Sequence, residues 1–497
     1  MQTQNMSIGI VGSGTAGLTT ALTLRKAFPN SNITIVSSSK IGIIGVGEGS
    51  TEHWRQFMDF CDIPTEELIL NTGATHKYGI RFEDWTNKTP DYFHSVGGVD
   101  DIFAHGLFAT YMHFLENEKL ITSQTASVGL VKNKISRQNL HKTTNQFHFD
   151  TFKLNDYLTS VCFSRMIRFV DDSVSKVNID PINGCILSVD TEFNGCIDAN
   201  FWFDASGFNR VLMTSLGNTE WTSFSPYLLA DSAIAFPTES DPNGQIRPYT
   251  RARAASAGWV WEIPTQDRRG NGYVYSSRHT SEEQAIKELE KMTGYKVPES
   301  HRSFKFDAGF LKNQWVKNCV AVGLASSFVE PLEATSIGSS LIQARSIIDS
   351  ISSYQPGYEK IQHAYNKNMT EMMRNILTMI RLHYMSDRTD TVFWKDQAGM
   401  TINSELQELI NIWSEKPPSR YDCPSTLNNM FHAPHFVHVM QGQGLIPTIP
   451  SSTALDRLGL REVVNKEVDN MRNSRHAHEL VDHRKALLEI NEIDNEF

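Results

Sequence analysis

The sequence predicts an α/β protein with a mostly helical C-terminal part, and three observations support this fold class. Short apolar strands alternate with helical segments over roughly the first 355 of the 497 residues. The first of these strands runs directly into a glycine-rich turn and a helix. Beyond residue 355 the pattern is mainly helical and polar. We therefore expect an interleaved module over residues 1–355 and a mostly helical module over residues 356–497.

The N-terminal segment has the pattern of a Rossmann-like dinucleotide-binding unit. A short apolar strand at 7–11 precedes a GxGxxG turn, and helical residues 18–28 and a β-rich run at 33–36 follow. In such a unit the glycines let the backbone approach a pyrophosphate at the N-terminus of a helix. The predicted contact residues are Gly12, Gly14, Thr15, Ala16 and Gly17.

Two features follow this unit. The acidic residue expected at the end of the second strand, where it binds a ribose hydroxyl, is replaced by the serine run 37–39. Ser37 can still form a hydrogen bond, but without the strength that a charged group adds. The glycine-rich run 41–50, called the strap here, contains Glu48. Its composition fits either backbone lying against a flat ligand or a mobile loop.

Composition excludes several classes of function. Hydrophobic residues make up 40% of the chain and charged residues 21%, which is typical of a globular protein with a sizeable core. The net charge of −10 argues against binding to nucleic acid or to an anionic membrane. We find no apolar run of about 18 residues and no leader pattern, so we expect a cytoplasmic protein. Six scattered cysteines without a CxxC pair indicate reduced thiols and no metal site.

Two strand-like stretches carry the candidate chemistry. The segment GWVWEIP at 258–264 places Trp259 and Trp261 on one face of an extended chain. The pair fits either an ordinary core strand or a wall beside a ligand. The stretch 75–82 alternates like a strand and puts Lys77 on one face with Gly79 and Arg81, a pattern that by itself favours a solvated lysine.

The remaining segments are predicted more coarsely. We interpret residues 83–150 as an insertion, within which His94, His105 and His113 have no metal-ligand spacing and are expected to be structural or exposed. Hairpins are expected over 167–200 and further strands over 210–300. An apolar strand at 319–325 leads to a helix predicted over 339–352, and a charged helix is predicted over 462–490.

Taken together, these motifs resemble the flavin-dependent halogenases of the tryptophan-halogenase type. GWxWxIP is the most specific of them, and the resemblance covers about residues 7–395. The residues that carry it are GSGTAG at 12–17, IGVGE at 44–48, His76–Lys77, FHFD at 147–150, FDASG at 203–207, GWVWEIP at 258–264, GNGYVYS at 270–276, SFVEPLEATSI at 327–337 and His383–Tyr384 with the segment 388–394.

The resemblance implies a specific chemistry. FAD would arrive reduced, as FADH2, and O2 and a halide ion (Cl, Br or I) would yield hypohalous acid at the flavin. The acid would pass to Lys77 for electrophilic halogenation of an indole- or phenol-type substrate, with Glu333 as acid/base partner. Trp259 and Trp261 would keep the substrate away from the flavin. Further implied contacts are the halide with the backbone N–H groups of Thr335 and Ser336, and the cofactor with Val174, Leu324 and Ile337.

The sequence departs from the family pattern near the implied site. Ala334 stands where tryptophan halogenases usually have serine, and Ser336 where many members have glycine. A substrate other than free tryptophan is therefore expected at least as much as tryptophan itself. A second GxGxxG for a nicotinamide is lacking, so a separate flavin reductase is the implied partner; a homo-oligomer remains possible. The alternatives to a halogenase are a flavin-dependent aromatic monooxygenase and a non-catalytic flavin-binding protein. Aromatic monooxygenases usually have Gly-Asp where this chain has Gly323–Leu324.

Overall fold

The computed structural model describes most of the chain. The described residues are 6–43, 45, 48–95, 129, 132–136, 146–415, 422–423, 430–445, 456–463, 465–466 and 480–494. Within this part no helix combines the length and the apolar character needed to cross a bilayer. The six cysteines are all free, as predicted.

The strands are numbered β1 to β24 in chain order. They are β1 (Ser7–Val11), β2 (Asn32–Ser37), β3 (Glu48–Gly49), β4 (Thr75–Lys77), β5 (Gly79–Glu83), β6 (Asp91–Ser95), β7 (Ile135–Ser136), β8 (Gln146–Phe149), β9 (Arg168–Asp171), β10 (Val174–Ile179), β11 (Ile186–Thr191), β12 (Cys196–Asp198), β13 (Phe201–Asp204), β14 (Trp221–Ser223), β15 (Ser232–Glu239), β16 (Thr250–Ala255), β17 (Gly258–Pro264), β18 (Arg268–Tyr275), β19 (Arg302–Lys305), β20 (Gly309–Leu311), β21 (Trp315–Val316), β22 (Cys319–Ala321), β23 (Ser327–Phe328) and β24 (Leu480–Val481).

The α-helices are numbered in the same way. They are α1 (Thr15–Ala27), α2 (His53–Phe60), α3 (Thr65–Thr72), α4 (Thr151–Ser164), α5 (Val211–Ser215), α6 (Glu282–Thr293), α7 (Thr335–Ile351), α8 (Glu359–His383), α9 (Val392–Ala398), α10 (Ser404–Glu415), α11 (Ala433–Gly442) and α12 (His483–Asp494). Short 3-10 turns cover Gly207–Asn209, Gly323–Ala325 and Pro331–Glu333.

A six-stranded sheet forms the nucleotide-binding half of the protein. Its strand order is β21-β22-β13-β1-β2-β9, and all neighbours are parallel except the edge pair β21 and β22. The apolar residues of β1 and β13 lie in the core, while α1 packs against α7 beside this sheet. The α/β fold class is confirmed. Since ligands of such sheets bind beyond the carboxyl ends of the strands, the turn after β1 is at a binding edge.

A seven-stranded sheet carries the tryptophan pair. Its order is β19-β15-β18-β17-β16-β5-β6, with β17 between two antiparallel neighbours. Every residue of β17 is buried, including Trp259 and Trp261. The indole rings lie on one face, as the spacing predicts, with centroids 6.0 Å apart. The hairpins predicted over 167–200 are present as the antiparallel sheet β10-β11-β12.

The single strand predicted over residues 75–82 is wrong, because the chain divides at Tyr78. Lys77 ends β4 in a small sheet of order β3-β8-β4, whereas β5 pairs with β6 and β16 in the large sheet. The Tyr78 N–H donates to the carbonyl of Pro248, outside either ladder. Lys77 and Arg81 therefore do not share one strand face, and Lys77 is only 2% exposed rather than solvated.

Three further predictions differ from the structure. Both ends of the segment interpreted as an insertion over 83–150 belong to sheets, as β6 and β8; residues 96–128 lie outside the described residues. The helix predicted from residue 339 begins at Thr335. In the stretch predicted as a helix over 462–490, Leu480–Val481 pairs with β7, and α12 begins only at His483. The division into modules at residue 355 stays a prediction.

The packing around Trp261 leads to a prediction about stability. A Cβ on Gly272, which pairs with Trp261 across β17 and β18, would lie 2.2 Å from the Trp261 ring and 2.3 Å from the carbonyl oxygen of Ile234. We expect Gly272→Ala to cost about 1–3 kcal/mol of unfolding free energy, the usual range for overpacking a core, and to lower the thermal midpoint. Gly399→Ala is the matched control, because its nearest neighbour would be 3.4 Å away. Equal midpoints for the two variants would contradict the packing described here.

Candidate active site

The turn after β1 has the backbone of a dinucleotide-binding turn. Gly12 has a φ of +110°, and a Cβ there would lie 2.3 Å from the Ala205 carbonyl oxygen. A Cβ on Gly17 would lie 2.1 Å from the Gly12 carbonyl oxygen, so both positions exclude a side chain. At Gly14 a Cβ would meet nothing within 4 Å, which leaves space for a ligand beside the start of α1. The N–H groups of Thr15 and Ala16 in the first turn of α1 have no intrahelical partner.

An acidic side chain from the neighbouring strand lies beside the end of β2. Ser37 pairs in register with Asp171, the last residue of β9. The Asp171 carboxylate accepts a hydrogen bond of 2.8 Å from the Ser39 N–H, and this bond lowers the pKa of Asp171. Sequence analysis missed this residue because parallel strand pairing, not chain order, brings it to the binding edge.

The other predicted cofactor residues lie around the same unit. The Glu48 Oε2 atom is shielded from solvent without a hydrogen-bond partner among the described residues, and burial raises the pKa of Glu48 to about 7. Such a group fits a hydroxyl or amide donor on a ligand. Leu324 lies in the 3-10 turn after β22, Ile337 in the first turn of α7 and Val174 at the start of β10. Their contact with a flavin stays a prediction.

Lys77 is enclosed at the end of β4. Its Nζ donates a hydrogen bond of 2.9 Å to the carbonyl oxygen of Ser50 in the strap. Burial lowers the pKa of Lys77 to about 8, and the nearby carboxylates of Glu333 and Glu52 oppose that shift. No hydrogen bond or ion pair within 4.0 Å joins Lys77 to Glu333, so the two groups interact through their charges. The amine is thus close to its titration point at neutral pH.

The strap holds Lys77 close to the start of α7. A Cβ on Gly49 would lie 3.3 Å from Lys77 Nζ and 3.4 Å from Ala334 Cβ. A Cβ on Gly338 would in turn lie 2.5 Å from Thr51 Oγ1. Small residues at both positions therefore let the strap pass between the lysine and the helix.

Glu333 is a buried carboxylate held by two imidazoles. His94 Nδ1 lies 2.9 Å from both carboxylate oxygens, and His383 Nε2 lies 2.6 Å from Oε1. Burial alone would raise the pKa of Glu333, but the charge of His94 and the hydrogen bonds from His383 and His94 outweigh it and hold this pKa well below its usual range. Glu333 is therefore ionised at neutral pH.

A chain of hydrogen bonds fixes the tautomer of His383. Gln443 Nε2 donates to the Tyr92 hydroxyl at 3.0 Å, and that hydroxyl lies 3.0 Å from His383 Nδ1. With Nδ1 accepting from Tyr92, a neutral His383 carries its proton on Nε2 and donates it to Glu333. Burial lowers the pKa of His383, which agrees with the neutral form. The carboxylate is thus oriented by groups from β6, α8 and the segment after α11.

The predicted halide residues lie at the N-terminus of a long helix. Ala334 has left-handed backbone, with φ +56°, and precedes α7 without a side-chain cap. Thr335 and Ser336 are the first two helical residues, so their N–H groups have no intrahelical acceptor. The positive end of the helix dipole adds to the attraction for an anion.

The tryptophan pair is anchored to the same loop that carries Glu333. The Trp259 indole N–H donates to Glu330 Oε2 at 2.7 Å, and the Tyr384 hydroxyl donates to the same atom at 2.8 Å. Burial raises the pKa of Glu330 to about 7. Trp85 packs against both aromatic donors, with centroid distances of 6.5 Å to Trp259 and 5.4 Å to Tyr384.

Sequence analysis missed the histidines that surround Glu333. His94, expected to be structural or exposed, is fully buried against the carboxylate. His435 and His438, three residues apart on α11, contact His94 edge-on with centroid distances of 5.3 and 5.9 Å. A His-x-x-His spacing was the available signal, since i and i+3 share a helix face. Within the described part of the chain these residues form no group with metal-binding geometry.

A nucleotide-binding turn, a buried lysine near an ionised glutamate and two adjacent indoles are the features expected of a flavin-dependent halogenase. Comparison with known families agrees: the family model described as tryptophan halogenase matches residues 7–456. The chain belongs to the tryptophan halogenase family and is an enzyme of the flavin-dependent halogenase class. Family membership implies the use of FAD and a halide.

Individual relatives match over nearly the whole chain. The chain is 30% identical to tryptophan 7-halogenase RebH of Lentzea aerocolonigenes, covering 89% of this chain and 90% of that protein. It is 29% identical to tryptophan 6-halogenase SttH of Streptomyces toxytricini, over 91% of this chain and 92% of that protein. Among solved structures, a tryptophan halogenase from Shewanella frigidimarina superposes with a TM-score of 0.87 at 26% identity, covering 99% of this chain and 98% of that one. The flavin-dependent halogenase Xcc4156 from Xanthomonas campestris superposes with a TM-score of 0.86 at 27% identity, covering 98% of each chain.

The carboxyl groups of Glu48, Glu330 and Glu333 should be distinguishable by their protonation. Because burial raises the pKa of Glu48 and of Glu330 to about 7, each carboxyl is protonated below that pH and ionised above it. Infrared difference spectra of the flavin-free protein, recorded below that pH, should therefore lose one carboxylic-acid C=O band in Glu48→Gln and one in Glu330→Gln. Glu333→Gln is the control and should lose none, since the lowered pKa of Glu333 keeps it ionised. A protonated-carboxyl band that disappears in Glu333→Gln would refute the arrangement with the two imidazoles.

Proposed function

We propose that this enzyme uses FADH2, O2 and a halide to halogenate a small aromatic substrate of indole or phenol type, with Lys77 and Glu333 as its catalytic residues. The observation that carries the proposal is the enclosure of Lys77 near an ionised Glu333. The loop that carries Glu333 also carries Glu330, which accepts a hydrogen bond from Trp259 of the tryptophan pair. A structural lysine on a strand would be expected at the surface instead.

The cofactor supplies the oxidising chemistry. Reduced FAD, when bound, would supply two of the electrons that reduce O2 and the halide would supply the other two, so that oxidised FAD, hypohalous acid and water result. The residues that would hold FAD are those of the turn 12–17 and the start of α1, with Ser37, Glu48, Val174, Leu324 and Ile337 around it. Open space at Gly14 and the unpartnered Glu48 oxygen support this placement.

A halide would bind at the start of α7. The free N–H groups of Thr335 and Ser336 supply donors, and the helix dipole supplies positive potential. The side chain of Ala334 at this position adds no competing hydroxyl.

Lys77 would hold the hypohalous acid. As an ammonium group it would donate a hydrogen bond to the oxidant, and as an amine it would be halogenated on nitrogen. With a pKa of about 8 the lysine has both forms available at neutral pH. The wall of Trp259 and Trp261 would separate the substrate from the flavin.

Glu333 would act on the substrate side. An ionised carboxylate stabilises positive charge on the ring during attack and accepts the proton that the aromatic carbon loses. The N–H groups of His94 and His383 hold its oxygens in place, so the carboxylate does not need to reorganise. Release of that proton completes the exchange of ring hydrogen for halogen.

The substrate and the source of FADH2 complete the proposal. The relatives named above include tryptophan halogenases, and because Ala334 stands where those enzymes usually have serine, a substrate other than free tryptophan is expected at least as much as tryptophan itself. A separate flavin reductase would supply FADH2, as in other members of the family.

A product screen tests the reaction class. The enzyme, FAD, a flavin reductase with NADH and each halide in turn are mixed with a panel of indoles and phenols, and products are measured by mass spectrometry. A halogen mass shift supports the proposal. A gain of oxygen would assign the protein to the aromatic monooxygenases, and peroxide with no organic product across the panel would indicate flavin binding without this activity.

Lys77→Ala should abolish halogenation while FADH2 oxidation continues, because the variant loses only the group that holds the oxidant. The measurement is halogenated product against NADH consumed. Lys312→Ala is the matched control, since Lys312 is an exposed lysine paired with Glu220. Wild-type halogenation by Lys77→Ala would show that the lysine has no role.

Glu333→Gln should lower the halogenation rate by about 10²-fold, a typical loss for a general acid/base. The amide keeps the shape but neither the charge nor the basicity of the carboxylate. Rates are compared with Glu220→Gln, which removes an exposed carboxylate from a surface ion pair. An unaltered rate in Glu333→Gln would remove this residue from the mechanism.

A further inference from the structure

The loop between β23 and α7 carries a second buried glutamate, Glu330, whose contacts differ from those of Glu333. Both carboxyls are almost fully buried, with 1% and 3% of each residue exposed. Two adjacent residues at the end of α8 bind them separately. His383 donates to Glu333 at 2.6 Å, and Tyr384 donates to Glu330 at 2.8 Å. One helix end therefore fixes two carboxyl groups of one loop.

Glu330 also connects this loop to the tryptophan pair. Its Oε2 accepts the Trp259 indole N–H at 2.7 Å, across from the Tyr384 hydroxyl. An N–H donor in the plane of the indole fixes the rotation of the ring as well as its position. Trp261 differs, because its buried indole N–H has no partner among the described residues. Hydrogen bonding therefore holds one indole of the wall, while packing alone holds the other.

The chemistry of Glu330 suits a structural acceptor that does not need its charge. Both neighbours are hydrogen-bond donors. The indole N–H of Trp259 can only donate. Burial raises the pKa of Tyr384, so its hydroxyl stays protonated. Oε1 is buried without a described partner and can carry the carboxyl proton. Within the described residues, Tyr384 is the only titratable side chain that forms a hydrogen bond with Glu330. An amide in the place of the acid would preserve the acceptor oxygen.

We propose that Glu330 is a positioning residue that, by accepting hydrogen bonds from Trp259 and Tyr384, holds the tryptophan wall in a fixed position relative to Glu333 and His383. This inference rests on the proposed function, in which the wall separates flavin and substrate and Glu333 acts on the substrate. The wall belongs to β17, Glu333 to the loop before α7 and His383 to α8. Through Tyr384 and the loop backbone, Glu330 connects all three.

The experiment compares three substitutions with a matched control in the full-length enzyme loaded with FAD. Glu330→Ala removes the acceptor, Glu330→Gln keeps it, and Tyr384→Phe removes one of the two donors. Tyr157→Phe is the control: it also deletes a buried tyrosine hydroxyl that donates to a glutamate, Glu67, at 3.2 Å outside this network. The readouts are hydrogen–deuterium exchange of peptides covering 258–264 and 327–337, thermal midpoints, and product formed per FADH2 supplied with bromide and indole or phenol as probes.

We expect Glu330→Ala to accelerate exchange in both peptides and to lower product per FADH2 by about tenfold or more, since misplacing groups by about 1 Å can cost on the order of 10²-fold. Peroxide should rise correspondingly while the rate of flavin oxidation is retained. Glu330→Gln should restore both readouts, and Tyr384→Phe should show a smaller change in the same direction. If Glu330→Ala fails to fold, Tyr384→Phe and Glu330→Gln carry the comparison.

Two results would overturn the inference. The first is unchanged exchange at 258–264 in Glu330→Ala, or in Tyr384→Phe where the alanine variant does not fold. The second is an equal loss of product per FADH2 in Tyr157→Phe at a similar thermal midpoint, which would assign the effect to general destabilisation. Absence of any halogenated product from the wild-type enzyme would count against the proposed function alone, because the exchange readout still decides the positioning role.

Discussion

The site depends on keeping an ionised carboxylate, Glu333, inside the protein. Desolvation of such a group costs several kcal/mol unless hydrogen bonds and opposite charge replace the lost water. Here the donors come from His94 in β6 and His383 at the end of α8, and the positive charge comes from Lys77 in β4. The four residues are far apart in the chain, so the sheets and α8 must be in place before the charge can be buried. Fold and site are therefore energetically coupled.

The division of the chain at Tyr78 makes this convergence possible. A continuous strand would have kept Lys77 and the residues of β5 in one sheet. Instead, β4 turns Lys77 into the small sheet beneath the strap, while β5 and β6 continue the large sheet and deliver His94 from the other side. The glycine at position 49 then lets the strap close over the lysine amine. Two sheets of different size thus contribute to the surroundings of Lys77 and Glu333.

The sequence was informative where structure is determined locally. The β1–α1–β2 unit and the strand with Trp259 and Trp261 follow from glycine spacing and from period-two alternation, and both are present. Burial of Lys77 was not predictable, because it depends on the strap and on α7. The position of Asp171 beside Ser37 depends on the pairing of β2 with β9. The early start of α7 depends on the left-handed backbone of Ala334, a conformation that alanine itself does not signal.

Burial and the neighbouring carboxylates together explain why the pKa of Lys77 is about 8. Burial alone would favour the neutral amine, whereas the carboxylates of Glu333 and Glu52 favour the ammonium. With a pKa of about 8, about nine lysines in ten are protonated at pH 7 and the rest are free amine. If Glu333 formed a direct ion pair with Lys77, the ammonium would be permanent. By engaging Glu333 with His94 and His383, the protein leaves the carboxylate close enough to influence the lysine without fixing its proton, so that both protonation forms of Lys77 are available for the roles proposed for it.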